Sequence, residues 1–378
     1  MITTLSDLVN IRGGGTPSRK VAEYWNGDIP WVSVKDFKST RLSDAQELIT
    51  QSGIDNSSTH LIPAGNIIIP TRMALGKVAI NEVDIAINQD LKALLIRDTE
   101  ILHPQYLLRF LESKSSFIER QGKGATVKGI TLDVLKNLEI PLPPLPVQKQ
   151  IAALLEKADT LRSQCRQMEQ ELNQLAQSVF LEMFGDNERF KKMTVGDSLQ
   201  LINGRAFKSE EWKNAGLPII RIQNLKNSNV SFNCFDGEYD EKHRIRKGDV
   251  LLSWAGQLVS FGVFIWDRGD GLLNQHIFKV IPKTEMSSLY LKFALSIIVE
   301  KAKLNFSGID MKHITKRDLS KYELAIPDLN DQLYFEDTVS RITKNLESVK
   351  SKKMYFDDLF SSLMQRAFKG ELELNQAA

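Results

Sequence analysis

The chain has 378 residues, 42% hydrophobic and 25% charged, the balance of a soluble globular protein too long for one core, so two or more domains are expected. It shows no basic-then-apolar leader and no apolar run near ~18 residues, which argues against secretion and membrane spanning and points to the cytoplasm; its two cysteines, Cys165 and Cys234, are too few for a disulfide framework or a Cys-rich zinc site. The net charge of +2 is unevenly spread: residues 190–327 hold 21 Lys+Arg against 15 Asp+Glu, an excess that suits a polyanion partner.

The first informative stretch is Gly13-Gly14-Gly15-Thr16-Pro17-Ser18-Arg19-Lys20. Its glycines let backbone approach a ligand, and Thr16, Ser18, Arg19 and Lys20 can bond phosphate oxygens; a plain strand-to-helix turn has the same pattern. IPWVSVKDF (29–37) ends on Ser33, Lys35 and Asp36. The apolar run Asn66–Pro70 reads as a strand covered on both faces, and Thr71, Arg72 and Lys77 follow it. Asn88, Gln89 and Asp90 open another such run, and segment 103–121 has helical spacing through Tyr106, Leu107, Phe110 and Leu111. Gly122 to Lys128 is glycine-rich and basic, with Lys123 and Lys128. EIPLPPLPVQ (139–148) carries four prolines and is expected to be a stiff connector, neither helix nor central strand.

From 146 to 184 apolar or small residues recur at Ile151, Leu154, Ala158, Leu161, Cys165, Met168, Leu172, Leu175 and Val179. The steps alternate between three and four, which predicts a long helix with one narrow seam, a rod of roughly 55 Å that needs a partner.

That partner is expected within the chain, because the sequence is written twice; the alternative is that each helix packs on its own domain as an ordinary amphipathic helix. Residues 330–368 repeat the helix about 184 residues on, through Phe335, Val339, Ile342, Leu346, Val349, Phe356, Leu359 and Leu363, with Lys352 falling where Met168 sits in the first copy. Upstream, LSDLVNIRGG (5–14) resembles VGDSLQLING (195–204), IPAGNIIIPTR (62–72) resembles IRKGDVLLSWA (245–255), and AINQDLKALLI (86–96) resembles LLNQHIFKVIP (272–282). Gln148 matches Gln332. The runs Asp249–Ser253 and 287–303 repeat the strand and the helix of the first copy. The expectation is a mixed α/β (α+β) chain: two tandem globular domains, 1–145 and 186–327, separated by two long antiparallel coiled-coil helices in 146–185 and 328–378, related by a pseudo-two-fold repeat.

The loops differ where the scaffold agrees. Against the first copy's candidates stand Arg205, Lys208, Arg221, Gln223, Asn224, Trp254, Gln257, Gln275 and His276, then Lys312 and His313 in the late glycine-rich segment. Arg suits guanine and Asn or Gln suits adenine in the major groove, so the two copies read as readers of two different sequences. For any one of these residues a surface or turn role is the more ordinary account; it is as a set that they favour the functional reading. Active-site patterns are missing: no phosphate-binding GxxxxGK[ST], no GxGxxG, no GxSxG, no Asn-Pro-Pro-aromatic, and no metal-ligand spacing among His60, His103, His243, His276 and His313. A non-catalytic chain without a metal site is expected.

The tandem order, GGGTPS, IPWVSVKDF, INQDLKAL and the connector IPLPPLPVQKQIAALLEKAD together resemble HsdS, the specificity subunit of type I restriction–modification systems, over the whole chain. The second copy departs from the family pattern in AIPDLNDQLYFED, which lacks the Pro-Pro. The resemblance implies two target recognition domains, each reading one half of a bipartite, asymmetric double-stranded DNA site, and helices that act as a ruler for the spacer. It also implies two HsdM methyltransferase subunits carrying S-adenosylmethionine, and HsdR subunits that add ATP- and Mg-dependent cleavage, with no cofactor on this chain. The alternative from the residues is a coiled-coil scaffolding protein whose globular domains bind proteins.

Overall fold

The structure, a computed structural model, describes residues 1–124, 126–185, 188–227, 229–256, 258–304 and 312–372, with Leu258, Lys312 and His313 described by their backbone alone. It holds two compact units, Met1–Arg166 with Ser351–Ala378, and Gln167–Lys350. Each unit therefore takes one part of each long helix (Leu145–Phe184 and Leu329–Lys369). The compact bodies cut the chain differently from the four segments read from the sequence, because a helix with one apolar stripe is stable only against something else.

In the first unit the strands are β1 (Ile2–Thr4), β2 (Val9–Gly13), β3 (Trp25–Val32), β4 (Arg41–Leu42), β5 (Leu48–Ile49), β6 (Ile67–Pro70), β7 (Ala79–Asn81), β8 (Ala86–Ile87), β9 (Leu91–Ile96) and β10 (Glu139–Pro141). They form sheets in the order β2-β9-β6-β7-β4 and β5-β3-β8, with β1 paired to β10. Pairing is antiparallel except for β4 with β7 and β3 with β8. Side chains alternate along β6: Ile67 and Ile69 enter a core with Leu107, Phe110, Ile151, Leu155, Phe360 and Met364, while Ile68 enters another with Val32, Phe37, Ile87 and Leu91. That is why the run is apolar throughout, and each fully buried Ile contributes roughly 1.5–3 kcal/mol.

The second unit repeats the plan with β11 (Lys191–Thr194), β12 (Leu199–Asn203), β13 (Leu217–Ile220), β14 (Cys234–Phe235), β15 (Arg244–Ile245), β16 (Val250–Ser253), β17 (Ala255–Gly256), β18 (Gly262–Ile265), β19 (Gly271–Leu273), β20 (Ile277–Pro282), β21 (Lys312–His313) and β22 (Glu323–Ile326). Its sheets run β12-β20-β16-β18 and β14-β13-β19-β15, with pairs β17-β21 and β11-β22.

Part of the proline-rich connector is ordered differently from the expectation. Glu139–Pro141 is a strand, and the helix already starts at Leu145 with Pro146 in its first turn. A two-stranded sheet is all edge, and the first helical turn needs no N–H from proline.

The buried line of the first long helix passes through Ile151, Leu155, Ala158, Cys165, Ala176, Phe180 and Phe184. Leu154, Leu161, Leu172 and Val179 flank it half-buried, and Met168 and Leu175 are each 49% exposed. The line is shifted because the helix serves more than one neighbour. Ile151, Leu155 and Ala158 share a core with Tyr106 and Phe110 of the segment Pro104–Ser113 as well as with Phe360, Met364 and Ala367 of the second long helix. Ile151, Ala158 and Cys165 lie on the expected seam, whereas Leu155, Ala176, Phe180 and Phe184 are buried off it. Phe335, Val339, Ile342 and Val349 of the second helix are buried; Leu346, Phe356, Leu359 and Leu363 are half-buried; Lys352 is exposed.

Within the first unit the helices run in opposite directions. Asp357 lies 3.3 Å from Arg166 and 3.7 Å from Arg162, and Phe360, one turn later, lies under the Arg162 guanidinium at 4.0 Å. In the second unit Phe335 packs on Phe180 and Phe184 at ring separations of 5.4 and 5.5 Å. Both helix entrances are pinned alike. The Gln148 amide accepts from His103 N and donates to the Ile101 and Pro143 carbonyls, each at 2.9 Å. Gln332 accepts from Ser287 N at 2.7 Å and donates to the Pro327 and Glu285 carbonyls at 3.1 and 3.4 Å. No helix among the described residues is long and apolar enough to cross a membrane.

Candidate nucleic-acid interface

Parallel strands β3 and β8 run out at the same end of the first domain, Trp31 beside Ala86 and Val32 beside Ile87, and Asn88 N donates to Val32 O at 3.0 Å. The two loops that follow, Ser33–Asp36 and Asn88–Asp90, are thereby neighbours. The glycine run joins them: Gly15 N donates to Ile87 O at 3.0 Å, and a Cβ on Gly14 would lie 2.1 Å from that carbonyl. The glycine there lets backbone approach backbone, which corrects the expectation that it makes room for a ligand. Thr16 Oγ1 donates to Gln89 Oε1 at 2.5 Å.

Two further loops close on the group. Thr71 N and Oγ1 both donate to Asp90 O, at 2.8 and 3.2 Å. Arg72 Nη1 lies 3.3 Å from Asp90 Oδ1. Lys123 and Gly129 exchange backbone hydrogen bonds of 2.9 Å, and this short hairpin is tied to the Thr71–Met73 segment by Ile130 N to Thr71 O and Met73 N to Lys128 O. Lys123 and Lys128 are exposed. Five separate stretches of sequence thus meet on one surface: 14–16, 33–36, 71–73, 88–90 and the paired ends of the late glycine-rich segment, Lys123 with Lys128 and Gly129.

Several candidates serve the domain's own structure. Arg19 gives both Nη groups to Glu47 and lies 3.7 Å over the Trp25 ring, near Trp31. The Arg19 hydrogen bonds hold the Glu47 carboxyl below its ordinary value. Ser33 caps the turn after it, donating to Asp36 Oδ2 at 2.9 Å. Lys77 is not drawn into the group; its Nζ donates to Phe37 O, and it lines a cleft with Glu112, Ser115, Phe360 and Met364. Ser18, Lys20 and Lys35 are exposed, and the Ser18 carbonyl accepts from Trp25 Nε1 at 3.2 Å. Lys92 was not a sequence candidate. Its Nζ donates to Gln89 O and Leu91 O at 3.0 and 3.1 Å, and burial pulls its ammonium below the usual range. A lysine between apolar strand residues was its signal.

The second domain brings the matching segments together. Arg205 N donates to Leu273 O at 2.9 Å, Asn274 N to Ile220 O at 3.2 Å, and a Cβ on Gly204 would lie 2.0 Å from Asn274 O. Trp254 N donates to His276 O, Ile314 N to Trp254 O, and β17 pairs with β21. The side chains differ in kind. Trp254 stacks on Phe278 at 5.3 Å and meets the His276 ring edge-on at 5.9 Å. Gln275 Nε2 and His276 Nε2 are 3.1 Å apart. Arg205 pairs with Glu211 and covers the Phe207 and Phe235 rings, and Arg221 bonds Asn233 Oδ1 beside Trp212. Lys208 and Gln223 are exposed.

Asn224 corrects the reading that placed it among base-contacting residues. It is fully buried, accepts from Arg221 N at 3.1 Å, and donates to the Val230 and Ser231 carbonyls. A buried amide with its bonds filled pins a loop and has none to offer a base. Gln257 lies outside the described residues, as do the side chains of Lys312 and His313.

Residues 1–176 and 187–355 match the model of the type I restriction modification DNA specificity domain. The chain is 23% identical to the type I restriction enzyme MjaIX specificity subunit of Methanocaldococcus jannaschii, over 99% of this chain and 94% of the relative. It is 37% identical to the EcoR124I/EcoR124II specificity subunit of Escherichia coli over 165 residues, 42% of this chain and 40% of the relative. Among solved structures, the type I restriction–modification system S subunit from M. genitalium superposes with a TM-score of 0.58 at 15% identity, covering 99% of this chain and 96% of that one. A chain from a structural study of type I system assembly and conformational transition superposes with a TM-score of 0.60 at 17% identity, covering 98% of both. At these identities the superpositions speak to the fold alone.

Proposed function

The chain belongs to the family of type I restriction–modification DNA specificity domains, and from that premise we propose that its two target recognition domains each read one half of a bipartite, asymmetric site in double-stranded DNA. As a specificity subunit it supplies sequence choice to a larger complex. In the proposed division of labour the long helices fix the unspecific spacer and dock two HsdM methyltransferase subunits. S-adenosylmethionine is carried by those subunits, and ATP and Mg by HsdR where a restricting complex forms, so adenine methylation and cleavage belong to the assembly.

One observation carries the reading. In both domains equivalent loops converge on equivalent backbone contacts, Asn88 N to Val32 O and Asn274 N to Ile220 O, yet present unlike side chains there: Arg72 and Asp90 in one, Trp254 and His276 in the other. Shared scaffold with unlike tips is the arrangement two independent readers need. Exposed Arg72, Lys123 and Lys128 on the first domain's loops supply the positive charge that a DNA backbone attracts.

Genome-wide mapping of methylated adenines in cells carrying this subunit and its methyltransferase tests the reading. The expected result is a two-part motif with a fixed gap, lost when the subunit is deleted. A motif without two parts, or methylation unchanged by the deletion, overturns it.

A further inference from the structure

We propose that Arg72 is the residue with which the first domain reads a guanine in its half of the site, and that Asp90 is the positioning residue that aims it. The inference rests on the reading of the chain as a DNA specificity subunit. Four arginines are among the sequence candidates, and three of them are committed within their own domain. Arg19 spends both Nη groups on Glu47 and lies on Trp25. Arg205 pairs with Glu211 over two phenylalanine rings, and Arg221 bonds Asn233 beside Trp212.

Arg72 is arranged otherwise. Its side chain is 56% exposed, and among the described residues its one partner is the Asp90 carboxylate. Asp90 is buried and fixed from behind: its carbonyl accepts twice from Thr71, and its N–H donates to Asn88 Oδ1 at 3.1 Å. The carboxylate steadies one corner of a planar fork that has five N–H donors. Such a fork matches O6 and N7 of guanine with two parallel bonds. The same fork also matches a phosphate, so the base role is distinguished by its confinement to one position of the site and by failure of lysine to replace it. Exposed Lys123 and Lys128 lie alongside as cations for phosphate, Lys123 and Arg72 both bridging to Gly129. At the matching place the second domain has Trp254 and His276, a ring pair with no guanidinium fork, so this guanine reading belongs to one half-site only.

The test is modified-base sequencing in cells carrying the full chain and its methyltransferase partner, comparing wild type, Arg72→Gln, Arg72→Lys and Asp90→Asn. Arg72→Gln is expected to reduce discrimination roughly five- to hundred-fold at a single guanine position of one half. The other half and the spacer stay unchanged, which reports an intact fold. Asp90→Asn is expected to broaden that same position. Where methylation is too low to map, binding of the purified complex to duplexes substituted one position at a time reads the same shift. A loss spread evenly over all sites with the motif unaltered, and restored by Arg72→Lys, makes Arg72 a phosphate contact and overturns the proposal. An unaltered motif and unaltered level in Arg72→Gln also overturns it. A wild-type chain that directs no two-part motif overturns the underlying reading instead.

Discussion

Arg109→Ala should loosen the joint between the first domain and its helices. Arg109 is 1% exposed. It donates to Glu112 Oε2 and Glu156 Oε2 at 2.7 Å and to Asp159 Oδ2 at 2.9 Å, with its face 5.7 Å from the Phe360 ring. Burial alone would pull the guanidinium down, but the three carboxylates hold it above its ordinary value. Removing one member of a buried ion pair costs about 3–5 kcal/mol, because the remaining charges stay desolvated. Glu156 is 40% exposed and keeps Arg41 as a second partner, so the lower end applies, about 3 kcal/mol at pH 7. Burial pushes the Glu112 carboxyl up against the pull of Arg109. A carboxyl raised in the fold adds stability below its unfolded pKa and loses it as pH climbs through the folded value; without Arg109 that loss at pH 7 grows. Burial would raise Glu156 too, but bonds from Arg41 and Arg109 hold it low, a gain that the wild type loses as pH falls. Both effects narrow the gap between variant and wild type toward pH ~4.5, near the unfolded glutamate value. Hydrogen-exchange protection of Pro104–Ser113, with Ser288–Leu304 as internal reference, measures it. In the second unit the positions 184 residues on are Phe293, Ser296, Ser340 and Thr343, and Phe293 packs on Phe180 and Phe335 at 5.9 and 5.2 Å. Arg109→Phe with Glu112→Ser, Glu156→Ser and Asp159→Thr should therefore recover most of the loss. A gap below about 1 kcal/mol at pH 7, or one that does not move with pH, refutes the ionic account.

Gln148→Leu and Gln332→Leu should each cost about 1–3 kcal/mol, since each leaves buried backbone partners unpaired, and the loss should appear in exchange of the unit that holds the helix entrance. Tyr106 and Tyr290 donate to the Pro141 and Ala325 carbonyls at 2.7 and 2.6 Å, and burial pushes both phenols up. An ultraviolet titration should find two of the seven tyrosines un-ionised past the ordinary phenol range until alkali unfolds the chain, and Tyr106→Phe with Tyr290→Phe should remove that late step. Gly14→Ala and Gly204→Ala put a Cβ 2.1 and 2.0 Å from a backbone oxygen, so each should impair binding to its own half-site while the other half is still read; two-domain loss would show that the clash is not local.

Much of the fold is legible because duplication doubles weak signals. The strand at Ile67–Pro70 is short, but its copy at Val250–Ser253 repeats the two-sided apolar pattern, with Val250 and Leu252 in one core and Leu251 in another. Long helices announce themselves by period. Their buried line is only partly legible: Ala158 and Cys165 lie on the expected seam, whereas Leu155, Ala176, Phe180 and Phe184 are buried beside it where a third element crowds in. Loop chemistry is legible only as a set. Asn224 has the right residue type and a buried loop-pinning role, while Arg19 and Arg221 have the right charge and are spent on Glu47 and Asn233. These pairings join residues 28 and 12 positions apart across turns, where no periodicity signals a partner.

The two copies differ in a way that tolerance alone does not explain. Positions where backbone meets backbone or where a buried amide makes three bonds are kept: Gly14 and Gly204, Asn88 and Asn274, Gln148 and Gln332. Changing these costs 1–3 kcal/mol, whereas exposed positions vary within about 0.5 kcal/mol, so scatter confined to loops is the default outcome of drift. Drifting surface residues, however, need no buried support. Asp90 is buried behind Arg72 and held by Thr71 and Asn88, and the half-buried Trp254 lies flat on buried Phe278. Each domain thus spends core positions on aiming a side chain that the other domain lacks. Such support is worth keeping where the direction of the side chain matters, which fits the base-edge reading proposed for Arg72.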